Sequence, residues 1–269
     1  MALKIQNSFK PKIPPKTKFG NIHDFLEMLI IKKKKNFEDS KQRFDKYISQ
    51  ESINNTWFHQ RQLSDYLDIL PVDSKIITKN SFFNFLKTRS KETREELSIL
   101  DDGIGDGFFL SELKNELNKL NIRNKTTGIT LSKSDTENFK KNIANINEVL
   151  YTRTEDYVPK KRFDLITSAY GGFNYSFEII KKEVLLKLAY SLKKGGVLII
   201  LFDLDMSLVN LKPKKENPYI NYNFISPKEI TRFSTTLIQS LNKRGFDAEI
   251  KKVSAKNMLQ DVLIIKRVK

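Results

Sequence analysis

The sequence of 269 residues contains no cysteine and only two histidines. Without cysteine, the chain can form neither a disulfide nor a thiolate zinc site, and it cannot use a cysteine nucleophile. The histidines are His23 and His59, and a histidine is the side chain that most often serves as a general base. We interpret both as surface or core residues rather than catalytic ones, and we expect no metal site.

Long apolar runs are also missing from the sequence. No segment approaches the ~20 apolar residues of a membrane-spanning helix. The start of the chain is basic, contains prolines and lacks the apolar centre of a signal peptide. We therefore expect a soluble, cytoplasmic protein without a transmembrane segment.

Acidic residues are outnumbered by basic ones, and the formal net charge is +16. Such an excess can indicate binding to nucleic acid or to an anionic membrane surface. Lysine outnumbers arginine several-fold, however, whereas contacts that read bases favour arginine forks. No aromatic signature of an RNA recognition fold is present. A solvated basic surface is the favoured interpretation, and RNA is kept as a second candidate partner.

The pattern of residues divides the chain into three parts. Residues 1–20 combine lysines with prolines, which predicts a flexible basic arm. Residues 21–95 repeat apolar residues at helical spacing, which predicts a helical N-terminal cap. In residues 96–269, strand-length apolar runs alternate with helical segments. This alternation is typical of an α/β domain with helices on both faces of the sheet.

The last part of the chain predicts a seven-stranded, mostly parallel sheet with an antiparallel C-terminal strand. The strands are predicted at 97–102, 126–131, 147–151, 163–168, 196–203, 246–252 and 260–267. Helices are predicted between them at 107–120, 133–145, 176–193 and 227–243. No helical pattern separates the last two strands, so we expect them to form a hairpin.

The most informative segment lies between the first predicted strand and the helix that follows it. Asp101 and Asp102 end the strand, and Gly103, Gly105 and Gly107 then place a glycine at every second position. Glycine allows the backbone to turn sharply and to lie close to a ligand. A dinucleotide-binding turn has the spacing G-x-G-x-x-G instead, so this spacing argues against a dehydrogenase.

This strand, glycine turn and helix resemble the first motif of class I S-adenosylmethionine (SAM)-dependent methyltransferases. The resemblance extends over residues 96–269 in the order of strands and helices, and it implies SAM as the cofactor. In that family the turn wraps the methionine half of SAM. Asp102 occupies a position that is usually apolar in the family. The residues implied at the turn are Asp101, Gly103, Ile104, Gly105 and Gly107.

The segment after the second predicted strand departs from the common family pattern. Thr130 stands where the family carries an acid that accepts both ribose hydroxyls. The surrounding run, Gly-Ile-Thr-Leu-Ser, is similar to one in the cyclopropane-fatty-acid-synthase-like branch, in which the third residue after the serine contacts the ribose. That resemblance implies Thr130, Leu131 and Asp135 in the cofactor site, with the ribose held by Thr130 and Asp135.

Two further segments are similar to motifs of the same family. After the third strand, the resemblance implies that Thr154 and Glu155 contact the adenine. The fourth strand ends near Ser168 and Tyr170, and in the family this end borders the transferred methyl group. The segment lacks the Asn-Pro-Pro-Tyr run that enzymes methylating base amines often carry.

The resemblance implies a SAM-dependent methyltransferase that acts on an O or N atom of a small molecule or a protein. Tyr170, Asn174 and Tyr175 are candidates near the acceptor, and no general base is identified. One alternative is an RNA methyltransferase that docks through the basic N-terminal part. The other is a non-catalytic SAM-binding or interaction protein, which the missing acid at Thr130 leaves open.

Overall fold

The computed structural model describes residues 63, 79–130, 139–169, 173, 178–201, 238–255 and 258–269. The chain divides into two compact units, Met1–Tyr47 and Ile48–Lys269, and every described residue belongs to the second. The predicted arm and most of the predicted cap lie outside the described residues. The division into 1–20, 21–95 and 96–269 therefore stays a prediction.

The described helices and strands alternate along most of the chain. In chain order they are α1 (Lys79–Thr93), β1 (Leu97–Asp102), α2 (Phe108–Lys119), β2 (Asn124–Thr130), α3 (Lys140–Ala144), β3 (Glu148–Tyr151), β4 (Phe163–Ala169), α4 (Glu178–Tyr190), β5 (Leu192–Leu201), β6 (Phe246–Ala255) and β7 (Met258–Arg267). A short helical stretch at 238–243 precedes β6. Among these helices, none combines the length and the apolar character needed to cross a bilayer.

The seven strands form one sheet in the order β3-β2-β1-β4-β5-β7-β6. The pairs among β1 to β5 are parallel, and β7 runs antiparallel to both β5 and β6. Strands β6 and β7 form the predicted hairpin, in which Ala255 pairs with Met258. The predicted α/β fold with a mostly parallel, seven-stranded sheet is confirmed.

Side chains along a strand alternate between the two faces of the sheet, and helices pack on both faces. Leu97 and Ile99 of β1 belong to one apolar cluster, and Leu100 belongs to another. The first cluster takes residues from α1 and α2, namely Phe82, Phe83, Leu86, Phe109, Leu110, Leu113 and Leu117. The second takes residues from α4, namely Val184, Leu185, Leu188 and Ala189.

An ion-pair cluster attaches α1 to the amino-terminal edge of the sheet. Asp164, at the start of β4, is fully buried. Its Oδ1 accepts a hydrogen bond from Arg89 Nε of α1 at 3.0 Å. Its Oδ2 accepts one from Ser98 N at 2.9 Å, and Lys193 Nζ lies 2.9 Å from the same oxygen. Helix α1, which the sequence interpretation includes in the cap, therefore shares the core of the sheet.

Strand β5 begins four residues before its predicted start at 196. The run Lys-Lys-Gly-Gly at 193–196 favours a turn, but Phe163 pairs with Leu192 and the register shifts before Leu165 pairs with Val197. Gly195 absorbs the irregularity with a φ of 76°. The segment is thus a bulged strand, in which glycine supplies the backbone angle that the bulge needs.

Candidate functional site

The candidate site lies at the carboxyl edge of β1, where the direction of strand addition reverses. From β1 the chain adds β2 and then β3 on one side, and it later adds β4 and β5 on the other. In open α/β sheets, ligands bind outside the carboxyl ends of the strands at such a reversal. The turn after β1 and the segments after β2, β3 and β4 all leave the sheet at this edge.

The turn between β1 and α2 is built from glycines with positive φ. Gly103, Gly105 and Gly107 have φ values of 87°, 53° and 71°. Residues with a β-carbon adopt such angles only with strain. Asp106 Oδ1 accepts the N–H of Phe108, the first residue of α2, at 3.0 Å, which is a local turn of the kind that aspartate often forms. The alternating glycines therefore allow the chain to leave β1 and enter α2 within five residues.

The glycine turn packs directly on β2. The N–H groups of Gly103 and Ile104 both donate to the carbonyl oxygen of Ile129 at 3.0 Å. Gly128 makes room for this contact, because a β-carbon there would lie 2.4 Å from Ile104 Cγ2. The side chain of Ile104 is consequently buried against β2. Sequence reasoning assigned Gly128 no role of its own, although this close approach requires a glycine.

Two neighbouring carboxylates end β1 on opposite faces of the strand. Asp101 is 5% exposed, and its Oδ1 accepts the hydroxyl of Thr167 on β4 at 2.7 Å. Asp102 is fully buried, and its Oδ2 accepts the hydroxyl of Ser168 at 2.8 Å. Each carboxylate is thus bonded to one hydroxyl of β4. Together these pairs join the ends of the two central strands.

Asp102 also receives two hydrogen bonds from beyond the sheet. The backbone N–H of Phe173 donates to Oδ2 at 2.7 Å, and the hydroxyl of Thr154 donates to Oδ1. Burial raises the pKa of Asp102, and the hydrogen bonds from Thr154, Ser168 and Phe173 oppose that rise. Asp102 was not among the predicted site residues. A carboxylate in an otherwise apolar strand position was the one signal that could have indicated it.

The predicted adenine residues are engaged within the protein. Thr154 is 2% exposed and bonds Asp102, whereas Glu155 Oε1 lies 2.9 Å from Arg153 Nη1 in a buried ion pair. Lys187 of α4 donates to the carbonyl oxygens of Thr154 and Glu155 at 2.8 and 2.7 Å. Burial lowers the pKa of Lys187, and the carboxylates nearby oppose this shift. The loop after β3 is therefore fixed from two sides, and its contact with adenine stays a prediction.

The structure brings several other predicted residues to the same edge. Thr130 ends β2, is 7% exposed, and accepts the N–H of Thr152 through its carbonyl oxygen at 3.0 Å. Ser168 is fully buried beside Asp102. The predicted residues Leu131, Asp135 and Tyr170 lie outside the described residues. The assignment of the ribose to Thr130 and Asp135 accordingly stays a prediction.

Comparison with known proteins yields similar structures but no similar sequences. No protein-family model matches the chain, and no curated protein matches it. The plantazolicin methyltransferase BamL, solved with a triazolic desmethylPZN analog and SAH, has a TM-score of 0.51 and 17% identity, over 70% of this chain and 84% of that chain. The plantazolicin methyltransferase BpumL, solved with a monoazolic desmethylPZN analog and SAH, has a TM-score of 0.50 and 17% identity, over 86% and 92%.

These likenesses concern the arrangement of the backbone. At 17% identity they identify a shared fold and leave cofactor and substrate to be argued from the site. They do not confirm the likeness to the cyclopropane-fatty-acid-synthase-like branch, which stays a prediction. The chain has an α/β fold with the sheet order and antiparallel β7 described above, and it shares this Rossmann-like fold with the methyltransferases BamL and BpumL.

Proposed function

We propose that the protein is a SAM-dependent methyltransferase that acts on an O or N atom of a small molecule or a protein. The observation that carries the proposal is the left-handed glycine turn from Gly103 to Gly107, held at the carboxyl edge of β1. This edge is where an open α/β sheet binds its ligand, and the turn brings bare backbone to it. The methionine half of SAM would lie against this turn.

The charge of the turn fits SAM better than a dinucleotide. Asp101, Asp102 and Asp106 are all buried within or beside the turn, and the stretch from Asp101 to Gly107 contains no basic residue. A pyrophosphate would meet like charges here, which is unfavourable. SAM instead carries an ammonium and a sulfonium group, and carboxylates stabilise both. The negative charge beside the turn therefore suits a cationic ligand.

Each predicted residue has a place in this proposal. Asp101 and the turn hold the amino-acid part of SAM, Thr130 and Asp135 hold the ribose, and the loop after β3 borders the adenine. Ser168 of β4 and Tyr170, which follows that strand in the sequence, would border the transferred methyl. SAM supplies an electrophilic methyl group when bound. The chain's own task is to align the acceptor with that methyl and to give the acceptor's proton a place to go.

The similar structures support the same cofactor by analogy. BamL and BpumL were both solved with SAH and with a desmethylPZN analog. A shared fold raises the expectation of SAM binding without fixing the acceptor. The acceptor class proposed for this chain follows from the absence of an Asn-Pro-Pro-Tyr run in the sequence after β4 and from the lysine-rich, arginine-poor composition.

Calorimetry on two matched glycine variants tests the proposal. Gly105→Val places a branched side chain at a φ of 53° within the turn, and we expect SAM binding to be lost. Gly245→Val is the control, because Gly245 has a φ of 85° and precedes β6 at the opposite edge of the sheet. We expect the control to lower stability and to keep SAM binding. Undiminished binding by Gly105→Val, or tight NADH binding by the wild type, would contradict the proposal.

A further inference from the structure

We propose that Asp102 is a positioning residue for the SAM pocket. Its buried carboxylate fastens the loop after β3 and the backbone of Phe173, which follows β4 in the sequence, to the strand that carries the glycine turn. The inference rests on the proposed function and deepens it. Asp102 is completely buried, so it acts through the groups bonded to it and not by touching a ligand.

Three donors from distant parts of the chain converge on this one side chain. Thr154, Ser168 and Phe173 lie 52, 66 and 71 residues after Asp102, and each donates one hydrogen bond to it. Thr154 belongs to the loop after β3. Phe173 belongs to the segment after β4, where Tyr170, Asn174 and Tyr175 are the predicted residues near the acceptor. The carboxylate thus links the predicted adenine side of the pocket to its predicted acceptor side.

Lys187 reinforces the same arrangement from α4. Its ammonium group donates to the carbonyl oxygens of Thr154 and Glu155, while the hydroxyl of Thr154 donates to Asp102. The backbone of this loop is held by the helix and its side chain is held by β1. A loop that is fixed at both points keeps its ligand-facing backbone in one geometry, and a preformed geometry favours binding.

The chemistry of the position explains why a carboxylate is suited to this task. A carboxylate offers two oxygens and about four acceptor positions, so it can satisfy all three donors at once. Asparagine has one acceptor oxygen, so its amide N–H would face one of the three partners, and only a hydroxyl could accept it, giving up its own role as a donor. An apolar side chain would leave the N–H of Phe173 and two hydroxyls without this acceptor. Burying a carboxylate is costly, and the three hydrogen bonds offset part of that cost.

Asp164 provides a matched control at the opposite edge of the sheet. It is as fully buried as Asp102, and it likewise has three partners, which are Arg89, Lys193 and Ser98. It lies at the amino end of β4, whereas Asp102 lies at the carboxyl end of β1. Replacing either residue by asparagine should lower stability, and only Asp102 should affect the pocket.

The experiment measures SAM affinity by calorimetry and stability by urea unfolding for wild type, Asp102→Asn and Asp164→Asn. We expect the Kd for SAM to rise about tenfold in Asp102→Asn, which is the scale of losing one hydrogen bond to a charged group. We expect a rise of less than about twofold in Asp164→Asn, although both variants lose stability. Equal Kd values in Asp102→Asn and Asp164→Asn would overturn the inference.

Combined with Asp102→Asn, Thr154→Val separates an effect through Asp102 from a direct contact with the cofactor. If Asp102→Asn does not fold, Thr154→Val alone still tests the inference, because normal SAM binding by that variant would contradict it. Valine keeps the shape of threonine and removes the donor. If Thr154 acts through Asp102, the double variant should bind SAM about as weakly as Asp102→Asn alone. Fully additive losses, or normal SAM binding by Thr154→Val, would overturn the inference. A wild type that does not bind SAM would instead overturn the proposed function.

Discussion

The glycine turn can lie on β2 because residue 128 is a glycine and has no side chain. A β-carbon at Gly128 would meet Ile104 Cγ2 at 2.4 Å and Cδ1 at 3.0 Å. The N–H groups of Gly103 and Ile104 depend on this close approach, since both donate to the carbonyl oxygen of Ile129, which follows Gly128 on β2. Gly128 therefore controls the position of the glycine turn, which lies more than twenty residues earlier in the chain.

Gly128→Ala should displace the turn. We expect the free energy of unfolding to fall by about 1–3 kcal/mol, the usual cost of overpacking, and the affinity for SAM to fall with it. The cost should shrink in a background that carries Ile104→Ala, because that change removes the two atoms in the way. Urea unfolding and calorimetry on the four proteins of this cycle measure both effects. Additive costs in the double variant would show that Ile104 is not the obstacle.

Sequence reasoning at the residue scale identified local features and missed distant ones. The glycine turn was recognisable because its spacing is contained within a few residues and because glycine adopts positive φ angles without strain. Asp102 was visible as an unusual carboxylate, but its role depends on Thr154, Ser168 and Phe173, which are brought to it by folding. No periodicity in the sequence encodes a contact between residues that far apart.

The attachment of α1 to the sheet is the feature that matters most at the scale of elements. Phe82 and Leu86 are fully buried in the apolar cluster shared with β1. Arg89 adds an ion pair with Asp164 and a hydrogen bond to the carbonyl oxygen of Lys194. The sheet therefore depends on a helix that precedes its first strand.

Arg89→Met should test this attachment. Removing one partner of a buried ion pair costs about 3–5 kcal/mol in general. Because Lys193 still faces Asp164, we expect the free energy of unfolding to fall by about 2–3 kcal/mol. Glu92→Gln is the matched control, since Glu92 pairs with the same arginine but is 59% exposed, and it should change stability by less than about 0.5 kcal/mol. Similar losses in urea unfolding would contradict a special role for the buried pair.

Individual helices and strands were easier to predict from the sequence than the elements that they pack against. Strands β1, β4, β5 and β7 were recognisable because each contains a short run rich in isoleucine, leucine or valine. Helical spacing in α1 indicated a helix and gave no information about the surface that it covers. At β5, the two glycines suggested a turn, whereas the backbone uses them for a bulge beside Phe163.

The net charge of +16 raises the question of whether the whole molecule binds RNA. An RNA methyltransferase that docks through its N-terminal part was the main alternative function. Lys32, Lys33, Lys34 and Lys35 are the densest basic run in that part, and they lie outside the described residues. Electrostatic binding to RNA has a characteristic dependence on salt, so it can be measured without knowing the acceptor.

We expect the full chain to bind RNA weakly and without sequence preference. The logarithm of the binding constant should fall by about 0.7 to 0.9 for each phosphate neutralised, per tenfold increase in salt. Replacing the four lysines at 32–35 by glutamine should flatten that slope. A titration series over salt concentration, with wild type and variant side by side, measures it. Nanomolar, sequence-selective binding at physiological salt would favour the RNA alternative over a small-molecule or protein acceptor.

The position of β7 has a consequence for how the molecule reaches its folded state. Strand β7 is the last of the seven strands along the chain, yet in the sheet it lies between β5 and β6. Until it arrives, β5 presents the unpaired backbone edge of Val197 to Leu201, an apolar and aggregation-prone segment. The strands of the β6–β7 hairpin adjoin in sequence, and the pairing of β7 with β5 closes that edge. We therefore expect a chain truncated before Met258 to leave this edge of β5 exposed and to self-associate.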